Sequence, residues 1–239
     1  MDIQAQGNGF IIWLTGMHRS GKSTLATLVA QRLSTVGLPA QLLDEDGEAK
    51  VLIDGLGPAK EEQARIVARL GYAARGIMKA GGIAVVSALS PYRDAREQVR
   101  REARRFLEVF VDCSMEALQG REGGSLYKKA LAGEVKNVFG VDVPYEPPAR
   151  AELTLHTEQL EVQDAVHQIF QAMVDARYLP PAEFTRLTGG LRARRAKPAP
   201  AARSGGRQKL AAKAAARKAP RKVPRKVPAR GAKAAKRRR

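Results

Sequence analysis

The sequence has little cysteine, few aromatic residues and no long apolar segment. Cys113 is the single cysteine among 239 residues, so an intramolecular disulfide is excluded and a reducing, cytoplasmic setting is expected. No apolar run approaches the roughly 18–20 residues that a membrane helix needs, so we expect no membrane insertion. Residues 1–9 lack a basic region followed by an apolar stretch, which predicts no secretory signal.

Negative charge is absent from the C-terminal part of the chain. Residues 191–239 contain 20 Lys and Arg but no acidic and no aromatic residue. The other 22 basic residues accompany all 24 acidic residues in the region 1–190, so the formal charge of +18 comes from the tail. A segment without large apolar side chains cannot bury a core, and its regularly spaced prolines prevent a continuous helix. We therefore predict a folded body over residues 1–180 and a disordered tail over residues 181–239.

The positive charge of the tail predicts binding to polyanions. Lys and Arg side chains neutralise nucleic-acid phosphates by counterion release and do not read the base sequence. The composition of the tail resembles that of linker histones and bacterial histone-like proteins. Residues 191–239 are therefore predicted to bind nucleic acid, in preference to an anionic membrane surface, and to associate with the nucleoid. A solubilising appendage is the alternative interpretation.

The body alternates apolar runs with amphipathic segments. The predicted strands cover residues 10–15, 40–43, 83–87, 107–112 and 152–155, and the predicted helices cover residues 22–36, 60–80, 94–105 and 162–173. This alternation predicts an α/β fold, a doubly wound parallel sheet with helices on both faces. Residues 121–150 are rich in glycine, proline and charge, which predicts a mobile lid.

A phosphate-binding motif follows the first predicted strand. Its residues are Gly16, Met17, His18, Arg19, Ser20, Gly21, Lys22 and Ser23, which fit G-x-x-x-x-G-K-[ST] between a strand and a helix, and Thr24 extends the binding segment. Backbone N–H groups of such a loop converge on a polyphosphate. Lys22 is predicted to reach the β- and γ-phosphates of ATP, and the Ser23 hydroxyl to ligate Mg²⁺. His18 and Arg19 are either solvated or take a direct part in catalysis.

Polar residues also follow the second and third predicted strands. Asp44, Glu45 and Asp46 lie where open α/β sheets bind ligands, so a carboxylate there is a candidate to orient Mg²⁺ or to accept a proton. An acidic turn that caps the next element is the alternative. Ser90 is a candidate hydrogen-bond donor to a ligand, a nucleophile, or the N-cap of a helix that begins near Pro91.

Together these segments resemble the adenylylsulfate (APS) kinase family, whose members phosphorylate the 3′-hydroxyl of APS with MgATP in sulfate activation. The resemblance covers most of residues 9–178. It rests on Trp13-Leu14-Thr15-Gly16, Leu43-Asp44-x-Asp46, Leu56-Gly57, Ser87-x-x-Ser90-Pro91-Tyr92-Arg93, Glu108-Val109-Phe110-Val111-Asp112, Leu126-Tyr127-Lys128-Lys129-Ala130 and Pro144-Tyr145-Glu146. It implies a P-loop nucleotide-kinase fold that often forms homodimers.

The resemblance also implies roles for individual residues. Asp46 would act near the acceptor hydroxyl, and Ser90 takes the position that the family assigns to a phosphoserine intermediate. Arg121 and the lid would close over the nucleotides. The substrate-binding residues that the resemblance implies are Asp44, Asp46, Ser90, Pro91, Tyr92 and Leu126.

Departures from the family pattern cluster on the acceptor side. Glu45 and Ala49 replace a glycine and an arginine, and Pro58, Gln63 and Ile66 replace an aromatic residue, an arginine and an asparagine. APS carries a planar base and a phosphosulfate dianion, which require ring stacking and charge-assisted hydrogen bonds. Losing two such hydrogen bonds predicts APS binding weaker by on the order of 10²-fold.

Nearby cations offer a partial replacement, namely Lys50, Lys60, Arg65 and Arg69. Three functions therefore remain open. The first is an APS kinase with a divergent acceptor pocket. The second is a P-loop kinase of the same lineage that acts on another acceptor. The third is a nucleotide-binding protein without useful turnover, tethered to nucleic acid by its tail.

Overall fold

The protein is described by a computed structural model that covers residues 9–121 and 126–188. Its five strands are β1 (Phe10–Thr15), β2 (Ala40–Asp44), β3 (Ile83–Ala88), β4 (Phe106–Asp112) and β5 (Leu153–His156). They form one sheet in the order β2-β3-β1-β4-β5, and every neighbouring pair is parallel. The predicted α/β fold with a parallel sheet is confirmed.

Helices cover both faces of the sheet. They are α1 (Lys22–Thr35), α2 (Lys50–Ile53), α3 (Lys60–Lys79), α4 (Arg93–Ala103), α5 (Met115–Arg121), α6 (Leu126–Leu131), α7 (Val162–Asp175) and α8 (Pro181–Thr188). Side chains of β1 alternate between the faces: Ile12 and Leu14 pack with α1, α7 and α8, whereas Ile11 and Trp13 pack with α3 and α4. Within the described ranges, no helix has the length and hydropathy to cross a membrane.

The carboxyl ends of the central strands meet at one edge of the sheet. Thr15 at the end of β1 pairs with Ala88 of β3, and Asp44 at the end of β2 pairs with Ser87 of β3. The loop after β1 and the polar residues after β2 and β3 therefore emerge side by side. This is the edge at which open α/β sheets bind ligands.

The folded body extends beyond the predicted boundary at residue 180. Disorder was expected from residue 181, but residues 181–188 form α8, so the expectation is wrong for this segment. Leu187 is buried in the core, the Phe184 ring lies edge-on to the His167 ring at 4.9 Å, and Arg186 donates to Val36 O at 2.9 Å. The apolar side chains of Leu187 and Phe184 are enough to hold α8 on the body, because α7 supplies the complementary surface. The basic tail over residues 191–239 lies outside the described residues.

The described part of the predicted lid packs on the sheet edge. It contains α6 and an isolated β-bridge between Phe139 and Val143. Tyr145 Oη lies 2.9 Å from Thr15 Oγ1, and the Glu146 N–H donates to Pro91 O at 2.8 Å. The mobility of the lid stays a prediction, and residues 122–125 lie outside the described ranges.

Candidate active site

The phosphate loop turns tightly between β1 and α1. A Cβ at Gly16 would lie 2.3 Å from Val111 O, so only glycine fits there. Arg19 and Gly21 have φ values of 63° and 107°, in the left-handed region. The Lys22 side chain is 4% exposed, and its Nζ donates to Met17 O at 3.0 Å. The loop thus holds a buried ammonium group inside its curve.

Burial and nearby carboxylates act in opposite directions on Lys22. Desolvation lowers the pKa of its ammonium group, and the negative charges of Glu45, Asp46 and Asp44 partly oppose this effect. The three carboxylates that follow β2 are therefore close enough to Lys22 to interact with it electrostatically. This is the cluster expected from the sequence at the end of β2.

The two predicted magnesium ligands lie next to each other. Ser23 Oγ donates to Asp44 Oδ1 at 3.1 Å and lies 3.4 Å from Ser87 Oγ. Mg²⁺ in nucleotide sites takes one or two protein oxygens together with phosphate oxygens and water, so this pair fits the ion. In residues 9–121 and 126–188, no group of three or more His, Cys, Asp or Glu side chains is placed to hold a metal ion.

Three cavities surround the loop, and each is named here by a residue or segment in its wall. The loop cavity, of about 560 Å³, is lined by His18, Arg19, Gly21, Lys22, Ser23, Thr24, Asp46 and Leu126. The Arg121 cavity, of about 340 Å³, is lined by Arg19, Ser20, Gly21, Thr24, Leu25, Arg121, Thr157, Leu160, Glu161, Val162 and Ala165. The Glu45 cavity, of about 420 Å³, is lined by His18, Glu45, Asp46, Lys50, Ile53, Asp54, Gly55, Leu56, Gly57, Pro58, Gln63, Ile66, Leu89, Asn137 and Phe139.

The loop cavity and the Glu45 cavity meet at two residues. His18 and Asp46 line both, and the Tyr127 hydroxyl holds His18 in place by donating to its carbonyl oxygen at 2.9 Å. The loop cavity and the Arg121 cavity share Arg19, Gly21 and Thr24. The three cavities therefore form a row of neighbours, in which the loop cavity shares wall residues with each of the other two.

Glu45 is the buried carboxylate of this row. It is 8% exposed, and its Oε1 accepts a hydrogen bond from the Leu89 N–H. Burial raises the pKa of Glu45 to about 7, against the opposing effect of Lys22. A sequence pattern gives no sign of this burial, because Glu45 lies between two other acidic residues, Asp44 and Asp46, at a strand end.

Arg121 lies against the phosphate loop. Its Nη1 donates to Ser20 O and to Thr157 Oγ1, both at 3.0 Å, and its Nη2 donates to Thr157 O. These bonds fix a planar cation at the wall of the cavity that adjoins the loop. The structure thus brings Arg121 together with the predicted phosphate-binding residues.

Ser90, Pro91 and Tyr92 lie together in the turn that follows β3, and their predicted substrate contacts stay a prediction. Ser90 is fully buried and its hydroxyl accepts from Trp13 Nε1 at 3.0 Å and donates to Thr15 Oγ1 at 2.8 Å. The Tyr92 ring is buried against Phe139, at 6.4 Å between ring centroids. None of the three residues lines the loop, Arg121 or Glu45 cavity. The Ser90 hydroxyl therefore has a structural role in this arrangement, because its hydrogen bonds point into the core.

Arg96 is the residue that the sequence reasoning missed. Its side chain is 2% exposed, pairs with the buried Glu108 at 2.8 Å, and also donates to Ser90 O and Glu146 O. Four arginines lie in α4, and nothing in their spacing marks one as buried. The guanidinium joins the turn after β3 to the lid, so it supports the wall of the Glu45 cavity.

The residues that depart from the family pattern fall in and around the Glu45 cavity. Pro58, Gln63 and Ile66 line it, whereas Ala49 is buried in the core below. Gln63 is held there because its Nε2 donates to Gly57 O at 2.9 Å.

One of the four expected replacement cations, Lys50, lines this cavity. Arg69 instead donates to Leu52 O at 2.9 Å, the Lys60 ammonium lies 5.2 Å from the Tyr92 ring centroid, and Arg65 Nε donates to Glu61 O at 3.4 Å. Lys60, Arg65 and Arg69 do not line the cavity in this arrangement, and their compensation for the lost cations stays a prediction.

Comparison with known proteins agrees with this geometry. An adenylyl-sulfate kinase of Synechococcus sp. (strain JA-2-3B'a(2-13)) is 38% identical over 72% of this chain and 98% of its own length, and that of Rippkaea orientalis is 39% identical over 72% and 94%. The Mycobacterium tuberculosis APS kinase, solved in complex with AMPPNP and APS, is 30% identical with a TM-score of 0.65 over 70% of this chain and 99% of that chain. The family model for adenylylsulphate kinase matches residues 8–156, and the chain belongs to this family.

Proposed function

We propose that the protein transfers the γ-phosphoryl group of ATP to the 3′-hydroxyl of APS, giving 3′-phosphoadenylyl sulfate. The observation that carries this proposal is the junction of the loop cavity and the Glu45 cavity at His18 and Asp46. Phosphoryl transfer requires donor and acceptor oxygens in line, with the transferred group held between them. Two cavities that meet beside a phosphate loop provide this arrangement.

On the donor side, the triphosphate of ATP occupies the loop cavity. The Lys22 ammonium neutralises the charge that develops on the phosphates, and backbone N–H groups of the loop bind their oxygens. The purine base occupies the Arg121 cavity, which adjoins the loop and has a planar guanidinium in its wall. Ser23 and Asp44 are the residues that would hold Mg²⁺, and the ion would further neutralise the phosphate charge.

On the acceptor side, APS occupies the Glu45 cavity with its 3′-hydroxyl next to Asp46. The Asp46 carboxylate accepts the hydroxyl proton as the new O–P bond forms. Transfer is direct in this proposal, because the Ser90 hydroxyl is buried and hydrogen-bonded away from both cavities. Lys50 is the cation in the described wall that is available to the phosphosulfate group.

The proposal is tested by incubating the purified full-length protein with ATP and Mg²⁺, with and without APS. We expect 3′-phosphoadenylyl sulfate, detected directly by chromatography, in the sample that contains APS and not in the sample without it. ATP binding without this product would contradict the proposal and favour a kinase of the same lineage that acts on another acceptor. A screen of hydroxyl-bearing acceptors would then follow.

We also propose that residues 191–239 bind nucleic acid without sequence specificity. The 20 basic residues and the absence of any acidic one support this, and a nucleoid location would follow from it. Deleting residues 191–239 should abolish salt-sensitive retention on DNA and leave phosphoryl transfer unchanged. Equal DNA retention by the truncated protein would contradict the proposal.

Self-association is the remaining prediction about partners. A hexameric APS kinase from Thiobacillus denitrificans is 30% identical with a TM-score of 0.55 over 73% of this chain, which spans 30% of that chain. We propose that this protein forms a homodimer, as the family resemblance implies. Sedimentation equilibrium of the full-length protein gives the mass directly, and a monomer at assay concentration would contradict it.

A further inference from the structure

The helices α1, α3, α4 and α7 end at the amino edge of the sheet, where the strands begin, opposite the three cavities. The left-handed residues that follow α1 and α3 are Gly37 and Gly81, with φ values of 84° and 86°. The corresponding residues after α4 and α7 are Arg104 and Arg177, with φ values of 51° and 59°. A side chain on a left-handed residue costs free energy that glycine avoids. Two of these four helix ends therefore keep an arginine where glycine is less strained.

The backbone after α7 gives no reason for an arginine. The Arg177 N–H donates to Val174 O at 2.9 Å, and the Tyr178 N–H donates to Met173 O at 2.8 Å. The turn after α1 has the same two bonds, each of 3.0 Å, around its glycine. This is the helix ending in which glycine is the usual residue at the left-handed position. The arginine is therefore kept for its side chain, and strained residues of this kind are concentrated at functional sites.

The two strained arginines lie close to each other. The guanidinium of Arg105 lies 4.9 Å from the centroid of the Tyr178 ring and 6.0 Å from that of Phe10, the first residue of β1. Arg104 and Arg177 directly precede Arg105 and Tyr178 in the chain, and both are exposed. The contact between Arg105 and Tyr178 thus brings the ends of α4 and α7 together.

These residues form a positively charged surface, to which the exposed Arg101 in the last turn of α4 also belongs. We define the amino-edge patch as Arg101, Arg104, Arg105 and Arg177. Two carboxylates are adjacent to it in the sequence. The Glu102 carboxylate pairs with Arg75 at 2.7 Å, and that of Asp175 accepts from Gln171 Nε2 at 2.9 Å. Positive charge is therefore in excess on the patch.

The chemistry of the patch favours phosphates over a lipid bilayer. A guanidinium group binds two phosphate oxygens at once, and arginine is the usual residue for nucleic-acid backbones. A surface helix or loop that binds a bilayer inserts apolar side chains as well. The exposed large apolar side chains in the described part of the chain lie outside the patch; they are Val51, Tyr72, Leu131 and Val162.

We propose that the amino-edge patch binds the phosphate backbone of a nucleic-acid duplex, so that the folded body adds contacts to those of residues 191–239. The guanidinium groups of Arg104 and Arg177 are kept at strained positions because they contact phosphates. This inference rests on the proposed nucleic-acid binding of the tail. It places the duplex at the edge of the sheet opposite the cavities, so bound DNA leaves the nucleotide sites open.

The test uses substitutions that remove charge and strain together. The full-length Arg104→Gly/Arg177→Gly variant and wild type are titrated with a DNA duplex of random sequence, by fluorescence anisotropy at several salt concentrations. We expect the affinity of the variant to be at least about tenfold lower at about 0.1 M salt, and the slope of log K against log salt to be smaller by about 2. The melting temperature should rise by about 2–4 °C, because glycine relieves the strain.

Two controls keep the comparison specific. Arg104→Lys/Arg177→Lys retains both charges and should keep the salt slope of wild type. Lys128→Ala/Lys129→Ala removes two exposed charges from α6, which lies beside the loop cavity, and should also keep that slope. A salt slope unchanged in the glycine variant, or lowered equally by the α6 variant, would overturn the inference.

The glycine variant also tests two other roles for these arginines. A lower melting temperature with unchanged DNA affinity would show that they stabilise the helix ends, and it would overturn the inference. Weaker binding to anionic vesicles of phosphatidylserine and phosphatidylcholine, again with unchanged DNA affinity, would assign the patch to a membrane surface and overturn it as well.

Deleting residues 191–239 separates this inference from the proposed role of the tail. Loss of DNA binding on deletion, with no effect of the glycine substitutions in the full-length protein, would support the tail and overturn the inference. DNA binding that survives the deletion and is then abolished by the glycine substitutions would do the reverse. Absence of DNA binding by the wild-type protein would refute both.

Discussion

The loop cavity and the Glu45 cavity share an edge of the sheet but are built in different ways. The wall of the loop cavity comes mainly from one continuous segment, residues 18–24, whose binding groups are backbone N–H groups and one lysine. The Glu45 cavity takes its wall from residues 45–58, from α3, from the turn after β3 and from residues 137–139. A site that binds through backbone groups keeps its ligand when nearby side chains are replaced. A site that binds through side chains changes its ligand specificity when they are replaced. The departures at Glu45, Pro58, Gln63 and Ile66 lie on the second kind of site.

Substituting Lys22 tests the loop cavity, which is the donor side of this comparison, and should have the largest effect. Lys22→Ala removes the ammonium that neutralises the transferred phosphate, so kcat should fall by at least about 10³-fold, measured by product formation. The melting temperature should not fall, because burial already disfavours the charged side chain. Lys79→Ala at the exposed end of α3 is the control and should keep full activity. Substantial turnover by Lys22→Ala would refute the assignment of the phosphate loop.

Asp46 lines both the loop cavity and the Glu45 cavity, and its substitution should have the next largest effect. Asp46→Asn keeps the size of the side chain but cannot accept the hydroxyl proton, so kcat should fall about 10²–10³-fold. The KM for ATP should change little. Asp54→Asn, which changes a carboxylate of the Glu45 cavity alone, should cost less than about tenfold in kcat. Equal losses in both variants would show that Asp46 acts only through the charge of the wall.

The sequence predicted the donor half well and the acceptor half poorly. The strand over residues 10–15 and the helix from residue 22 have the predicted positions, because an apolar run and a glycine-rich motif are local signals. The burial of Ser90 and Arg96 depends on partners 75 and 12 residues away, Thr15 and Glu108, which no local pattern identifies. Helix α8 was missed for the same reason, since α7 provides its packing surface.

Glu45 allows the acceptor half to be tested through stability. Burial raises its pKa from an ordinary value of 4.5 to about 7, so the folded protein binds this proton more tightly than the unfolded chain does. The contribution of this proton to the free energy of unfolding is complete at pH values below the ordinary pKa of 4.5. It decreases by about 2–3 kcal/mol as the pH rises toward 7.

Glu45→Gln lacks this titration, which gives the prediction a direct measurement. Its free energy of unfolding in urea, relative to wild type, should be higher at about pH 8 than at about pH 5 by about 2–3 kcal/mol. Glu48→Gln is the control, because Glu48 is exposed and should show no such difference. If the free energy of unfolding of Glu45→Gln relative to wild type stays constant or decreases from about pH 5 to about pH 8, the burial of the carboxyl group is contradicted.

Ser90 should give the smallest effect, because it supports the acceptor side without facing it. Ser90→Ala leaves the buried Trp13 Nε1 without its acceptor, so the free energy of unfolding should fall by about 1–2 kcal/mol, while kcat should stay within about threefold of wild type. Ser90→Gly also loses the hydroxyl but should be less destabilised, because φ is 38° and glycine adopts this region without strain. Complete loss of transfer in both variants would restore the phosphoserine hypothesis, and equal destabilisation would refute the backbone strain at this turn.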